Sequence, residues 1–515
     1  MATLTAFIKK RDLKVYFSSI LIGIFVGLFS ILFRYVIDQL GALRTGYFES
    51  SLAWYLKFPL YIACIYFVLL LINYMIIKYP IVGGNGAEQT RGMLNGHLHR
   101  KEAPKHLLEK FIGSVFSLGS GMSLGHEGPS IQFGGYIGMI ISRFLKITPG
   151  REEYMLSAGA SAGVAAALNA PLAGPIYIIE SLQQINNIRM SICSLLAGLV
   201  GGLIAYVFMP DNPYRFFVLK GPELNEFVVP GILIVMGIYM MILGTLFTKL
   251  VEFFRKRYFA GVYSARIQLL ALTVMMALIG YYIPLLLGSG QPFMIAQGVS
   301  GTLETSRAAL ILLISFLFTA FSQGTTFPGG AFLPLLTVGG LSGRLFGLIL
   351  LSLNVVTVEQ LPYFMFLGMS AMFVIVMRTP LTGFLLVLEM TGHFEVLLPS
   401  LAVGIVGYFL ISTVKMKSLP ASLYNTLLKR IESTSVKTLT IAFEAMPNSY
   451  FIGKDAADLN LPSGTRLLYV KREHREVTLM NGEKIEAGDQ LYFAIQKEEV
   501  EKVYLALLSL SSDQL

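Results

Sequence analysis

Charge is scarce in this chain. Asp, Glu, Lys and Arg make up 14% of its 515 residues, against roughly a quarter in ordinary soluble domains. A string of water-soluble domains is therefore excluded. Cysteine is nearly absent: Cys64 and Cys193 both fall inside apolar runs, which gives neither a disulfide framework nor a Cys-based metal site. No phosphate-binding loop, no metal-spaced His/Cys cluster and no Ser–His–Asp set in a supporting context occurs, so no enzymatic activity, metal or cofactor is expected. Basic stretches interleaved with aromatics are missing too, which argues against nucleic acid as a partner.

Hydrophobic residues supply 54% of the chain. Charge-free runs at Val15–Phe33, Phe58–Ile77, Met190–Met209, Phe227–Thr248 and Val396–Val414 approach the ~20 residues that span a bilayer as helix. The fold class is thus a polytopic, all-α membrane protein. The first run is too long for a removable signal peptide and lacks a small-residue cleavage site, so it is expected to stay as a helix. Lys9, Lys10, Arg11 and Lys14 precede the first span, and Lys415 and Lys417 follow the last. That bias places both termini on the cytoplasmic side of a cytoplasmic or inner membrane.

Composition shifts near Lys415. From about 435 to 512 the chain reads as a small α/β cytoplasmic domain, with strands at Lys437–Glu444, Thr465–Arg472 and Gln490–Gln496. Asn481-Gly482 marks a turn, and Glu498–Leu508 has helical periodicity.

The membrane part repeats itself. Gly-x3-Pro-x4-Gly-Gly-x2-Gly at Gly125, Pro129, Gly134, Gly135 and Gly138 recurs 205 residues later from Gly330 to Gly343. Gly-x11-Pro-Leu-x-Gly-x5-Glu, from Gly159 to Glu180, recurs 209 residues later from Gly368 to Glu389. Two related halves follow, about 15–215 and 228–415, as in transporters that hold substrate between broken helices. Polar, breaker-rich segments at Val82–Glu88, Gly119–Pro129 and Gln323–Pro334 interrupt apolar surroundings. Irregular backbone survives in a membrane only where protein or an aqueous cavity covers it. The three segments therefore imply a central site built from helix ends, and helix N-termini suit an anion.

These motifs carry a resemblance. Gly125-His126-Glu127-Gly128-Pro129 resembles the GxEGP signature of the CLC family of chloride channels and chloride–proton exchangers. Gly330-Ala331-Phe332-Leu333-Pro334 is similar to its GxFxP. Asn169–Gly174, Arg378–Gly383 and Leu423-Tyr424 match in order and spacing, so that the likeness covers about 15–430. It implies the repeated CLC-type fold and a homodimer in membrane lipid with one anion pathway in each subunit. Chloride or a similar small anion would meet backbone N–H groups of Gly128, Ala331 and Phe332 and the phenol of Tyr424. Glu127 would be the gate, a carboxylate that holds an anion position until protonated or displaced. An ionisable residue inside a membrane segment is in any case a functional-site hypothesis.

The sequence departs from the family in two places. Asn85, in Gly84-Asn85-Gly86-Ala87-Glu88, stands where the family has a serine hydroxyl. An amide offers N–H donors and also a carbonyl that repels anions, so Asn85 either joins the site or turns away to hold the loop. The fluoride-exporting branch lacks that serine too, which keeps fluoride open. Ser181 stands where exchangers carry an inner proton-relay glutamate, tipping the reading toward channel-like or weakly coupled flux. Glu180 either partners a buried base or replaces the relay. Lys110 either makes the pathway positive or snorkels to the interface, and His126 is expected to face a wet vestibule. Finally, Gly453–Leu459 and Glu486-Ala487-Gly488-Asp489-Gln490-Leu491 resemble the TrkA C-terminal (RCK-C) domain. That resemblance implies pairing and, in some members, a small ligand.

Overall fold

A computed structural model describes residues 2–98, 102–148, 151–183, 187–209, 221–222, 228–300, 304–414, 416–432, 438–446, 449–455, 458–472, 475–477 and 484–496, with short pieces between 503 and 510. The first half contains helices α1 (Ala2–Glu49), α2 (Trp54–Lys78), α3 (Ala87–Leu94), α4 (Ala103–Gly119), α5 (Glu127–Phe144), α6 (Glu152–Leu168), α7 (Ala173–Tyr177) and α8 (Ile188–Phe208). The second follows with α9 (Val228–Tyr258), α10 (Val262–Tyr282), α11 (Gln291–Ser300), α12 (Thr305–Gly324), α13 (Phe332–Ser352), α14 (Leu361–Met377), α15 (Pro380–Thr391) and α16 (Leu397–Thr413). Among the described residues each half has eight α-helices, so the repeat seen in the motifs extends to the element order. Helix α17 (Leu419–Glu432) then leads to the tail.

Among the described residues nine helices are long and apolar enough to cross a membrane, and the described part of each of the five apolar runs falls on one of them to within a residue. Outward-facing side chains such as Trp54, Leu398 and Phe409 are exposed. In water such a surface would aggregate; in lipid it is solvated. The inner helices α6 and α14 are almost wholly buried. Their neighbours approach closely because the repeated glycines allow it. A Cβ on Gly134 would strike the backbone of Gly159, and one on Gly339 the backbone of Gly368, the small-residue contact by which membrane helices pack. The two pairs stand at the same offsets as the motifs.

The repeats also clasp each other. Backbone N–H groups of Leu172 and Ala173, at the start of α7, donate to the Glu389 carboxylate of α15 at 2.8 and 2.7 Å. Reciprocally, Leu381 and Thr382, at the start of α15, donate to Glu180 at 3.1 and 3.0 Å. First-turn N–H groups have no partner inside their own helix, and an acidic side chain there also answers the helix dipole. The Pro-Leu-x-Gly-x5-Glu motif is thereby explained: its proline stands at the start of a short helix (Pro380) or just before it (Pro171), and its glutamate caps the start of the other repeat's short helix.

In the tail, strands β1 (Thr438–Glu444), β2 (Thr465–Arg472), β3 (Arg475–Val477) and β4 (Gln490–Gln496) form an antiparallel sheet in the order β1-β4-β2-β3. Leu491, Phe493 and Ile495 alternate inward on β4 and build a second core with Phe443, Phe451 and Val470. Asp489 of the Ala-Gly-Asp motif is buried and grips Arg472 through two bonds of 2.9 Å. The motif is thus a structural anchor. The Asn481-Gly482 turn lies outside the described residues, as does most of the expected helix Glu498–Leu508. Met446 packs into the membrane core, where Arg189 reaches its sulfur at 3.7 Å.

Candidate functional site

The three irregular segments meet. Gly125 and Gly330 exchange both backbone hydrogen bonds, at 2.8 and 2.6 Å, across the two repeats. The Gly84 N–H donates to Thr326 O at 2.8 Å, and a Cβ on Gly86 would strike Gly128 O. The starts of α3, α5 and α13 thus converge on one buried spot, as broken helices around a substrate would.

Glu127 opens α5 at this spot and is fully buried. Its Oε1 accepts the Leu333 N–H at 2.6 Å, while Oε2 has no hydrogen-bond partner. A Cβ on either Gly125 or Gly330 would run into this carboxylate. Both glycines are therefore needed for the chain to close around it. The carboxylate occupies the N-terminal end of α13, where an anion would be stabilised by free N–H groups and the helix dipole. Ala331 caps that helix and Phe332 begins it, but the N–H that meets Glu127 belongs to Leu333, one residue beyond the expected pair. Gly128 lies beside it, its Cα facing both the backbone and the side-chain oxygen of Asn85.

Asn85 is buried, and its Oδ1 has no hydrogen-bond partner. Its backbone N–H donates to Glu88 Oε1 at 2.9 Å, which fixes the loop without help from the amide. Lys110 is fully buried rather than snorkelling, and its ammonium donates to the carbonyls of Val82, Gly83 and Gly84 at 2.9, 3.4 and 2.8 Å. Three donors meeting three carbonyls make it the clamp of the loop that carries Asn85.

Tyr424, on α17, is buried and reaches the end of α3. Its hydroxyl accepts from Asn95 Nδ2 at 3.2 Å and meets His97 Nδ1 at 2.7 Å, with the Arg91 guanidinium over its ring at 4.6 Å. Neither Asn95 nor His97 was signalled by a motif, because their relation to Tyr424 spans more than 300 residues of sequence.

Glu180 and Ser181 lie on a π-helical turn, Ile178–Leu182, closed by Gln183 N–H to Ile178 O at 2.9 Å. Such a wider turn is a deviation from the regular helix that often marks functional segments. The partner of Glu180 is no buried base: its carboxylate takes two N–H groups of α15 and the Thr382 hydroxyl at 2.7 Å. His126 is half-buried. Its Nε2–H donates to Ala167 O at 2.9 Å, tying α5 to the end of α6.

The comparisons with known proteins agree with this geometry. The family profile described as voltage gated chloride channel matches residues 68–412. The chain belongs to the CLC family. It is 30% identical over 408 residues to the H(+)/Cl(-) exchange transporter ClcA of Vibrio cholerae, covering 76% of this chain and 84% of that one. Among solved structures, a slow cyanobacterial Cl-/H+ antiporter superposes with a TM-score of 0.70 at 22% identity, covering 82% of this chain and 99% of that one. A CLC-type fluoride/proton antiporter gives 0.62 at 19%, covering 77% and 94%; at such identities the likeness is one of fold. A TrkA-C domain profile matches residues 441–508. The chain is an integral, multi-pass membrane protein of CLC type that transports anions, with a TrkA-C domain behind the membrane part.

Proposed function

We propose that each subunit of a homodimer carries chloride past the meeting point of α5 and α13, with Glu127 as the gate and only weak coupling to protons. The observation that carries this reading is the Glu127 carboxylate itself, seated as an anion at the start of α13 with one oxygen on Leu333 N–H and the other unpartnered. Protonation removes its charge and frees the position for chloride. Weak coupling follows from the inner side. Ser181 offers only a hydroxyl, and Glu180 is engaged with the N-terminus of α15.

A second reading is favoured by the relatives, which are named as H+/Cl− exchangers: full exchange through a different proton relay. Fluoride remains a third substrate to test, because Asn85 replaces the family's serine. The tail, about 435–512, acts in this proposal as a pairing and ligand-sensing module attached to the transport part at about 15–430.

The test is chloride efflux from liposomes with simultaneous pH recording. Wild-type flux rises as the pH falls, whereas Glu127→Gln, which mimics the neutral gate without titrating, gives flux that is flat across the acid range. A Glu127→Gln variant whose pH profile follows wild type would remove Glu127 from the gate.

A further inference from the structure

We propose that Tyr177 is an anion ligand of this pathway, its phenolic hydroxyl supplying the side-chain donor that the family resemblance assigns to Tyr424. The inference rests on the reading that the anion passes the start of α13.

Four observations converge on it. Tyr177 is fully buried and its hydroxyl has no hydrogen-bond partner, although buried hydroxyls nearly always find one. Ser181, one turn on, borders the hydroxyl. Second, the phenol is held at the site. Its ring packs edge-on against Phe332, the first residue of α13, with centroids 4.6 Å apart, and Phe332 is held in turn by Phe373 at 5.0 Å.

Third, Tyr424 is already engaged. A phenol has a single proton, and the Tyr424 oxygen is met by Asn95 Nδ2 and by His97 Nδ1. The amide must donate, so when the imidazole carries its proton on Nε2 the tyrosine proton goes to Nδ1. Nothing is then left for an anion on that side. Fourth, the unpaired Asn85 Oδ1 brings a repelling dipole where the family has a hydroxyl. A donor elsewhere in the pathway offsets both losses. Tyr177 offers a buried, unpartnered hydroxyl whose ring packs on the first residue of α13. An arriving chloride accepts that proton as a charge-assisted hydrogen bond, which ends the isolation of the hydroxyl and adds a side-chain contact to the backbone donors.

Chloride titration calorimetry on the purified full-length protein, paired with thermal unfolding in chloride-free buffer, tests the assignment. Tyr177→Phe keeps the ring against Phe332 and deletes only the hydroxyl. Its chloride affinity should fall about tenfold or more, the scale of one hydrogen bond to a charged group, and Tyr424→Phe should lose less. The chloride-free protein should unfold no earlier than wild type, because the deleted hydroxyl has no partner there. A Tyr177→Phe variant that binds chloride as wild type does would overturn the proposal. So would one that loses affinity only together with chloride-free stability, since that marks a packing role. A wild type that binds no chloride at all would instead sink the transport reading underneath.

Discussion

The two halves of the membrane part share a scaffold and divide the chemistry unequally. Among the described residues each has eight α-helices in the same order. Each turns its chain in the left-handed region at the same place, Asn169 in the first and Arg378 in the second. Yet the position that holds Glu127 in the first half holds Phe332 in the second, 205 residues on. Tyr177 has Leu386 as its counterpart, and Ser181 has Met390, at an offset of 209. The first repeat brings the ionisable and hydroxyl groups; the second brings a helix N-terminus lined with apolar rings. Duplication therefore supplies the geometry, two helix ends facing each other, while differentiation supplies the direction in which charge can act.

The two central loops are held by different means, and the larger expected effect lies in the first repeat. There Lys110 satisfies three carbonyls of the loop before α3. In the second repeat Gln323 braces the loop before α13, donating to Gly330 O at 2.9 Å and to Ser123 O at 3.4 Å. Lys110→Met keeps the length of the side chain and leaves the Val82 and Gly84 carbonyls unpaired, while Gly83 O keeps its bond from Gln89 Nε2 at 2.6 Å. Each unmade bond costs about 1–3 kcal/mol, so the variant is expected to lose roughly 2–6 kcal/mol and to fail assembly in detergent. Gln323→Leu should lose about 1 kcal/mol or less, because Gly330 O keeps the Gly125 N–H. Size-exclusion profiles and thermal unfolding of the two variants would compare them. Equal losses would show that the loops are braced alike and that Lys110 is no special clamp.

The asymmetry was largely legible in the sequence. Two motif pairs gave the repeat, and Glu127 and Asn85 stood out because one fits and the other breaks a recognised pattern. The three strands named from the sequence are present in the tail. What stayed hidden was contact between distant residues. Glu180 is separated by about 200 positions from the helix end it caps, so the sequence offered a buried base as its partner and the structure offers backbone N–H groups. Tyr177 gave no signal, since a tyrosine in an apolar stretch reads as packing until its hydroxyl proves unpartnered. The π-turn beneath Ser181 was hidden for a similar reason: hydrophobic periodicity over five residues cannot separate it from an α-helix.

The reciprocal clasps allow a finer comparison. Glu389 takes two N–H donors from the first repeat. Glu180 takes two from the second and also the Thr382 hydroxyl, whose counterpart is Ala173. Hydrogen bonds to a charged group are worth about 1.5–3 kcal/mol, so each clasp matters and the one at Glu180 should matter more. Glu180→Ala is expected to cost about 1–2 kcal/mol more stability than Glu389→Ala. In a Thr382→Val background the two should cost the same. Thermal unfolding of the four variants would decide it, and a Glu389→Ala loss as large as that of Glu180→Ala with Thr382 present would mean the hydroxyl adds nothing.

The smallest expected effect concerns Ser181. Chloride-driven proton movement needs a group that takes a proton from the cytoplasmic side and passes it toward Glu127. Ser181 holds no titrating proton near neutral pH, and Glu180 is turned toward α15 by its clasp. Wild-type liposomes with an imposed chloride gradient should therefore move few protons uphill. Ser181→Glu puts a carboxyl beside the Tyr177 hydroxyl on the same turn, and a modest chloride-driven pH change should appear. The gain is expected to be small because the π-turn and its neighbours are shaped around a shorter side chain. Recording external pH after chloride is released resolves the two cases. Strong uphill proton uptake by the wild type would show that the first repeat holds a relay other than residue 181, and would make this chain an exchanger like the relatives it matches.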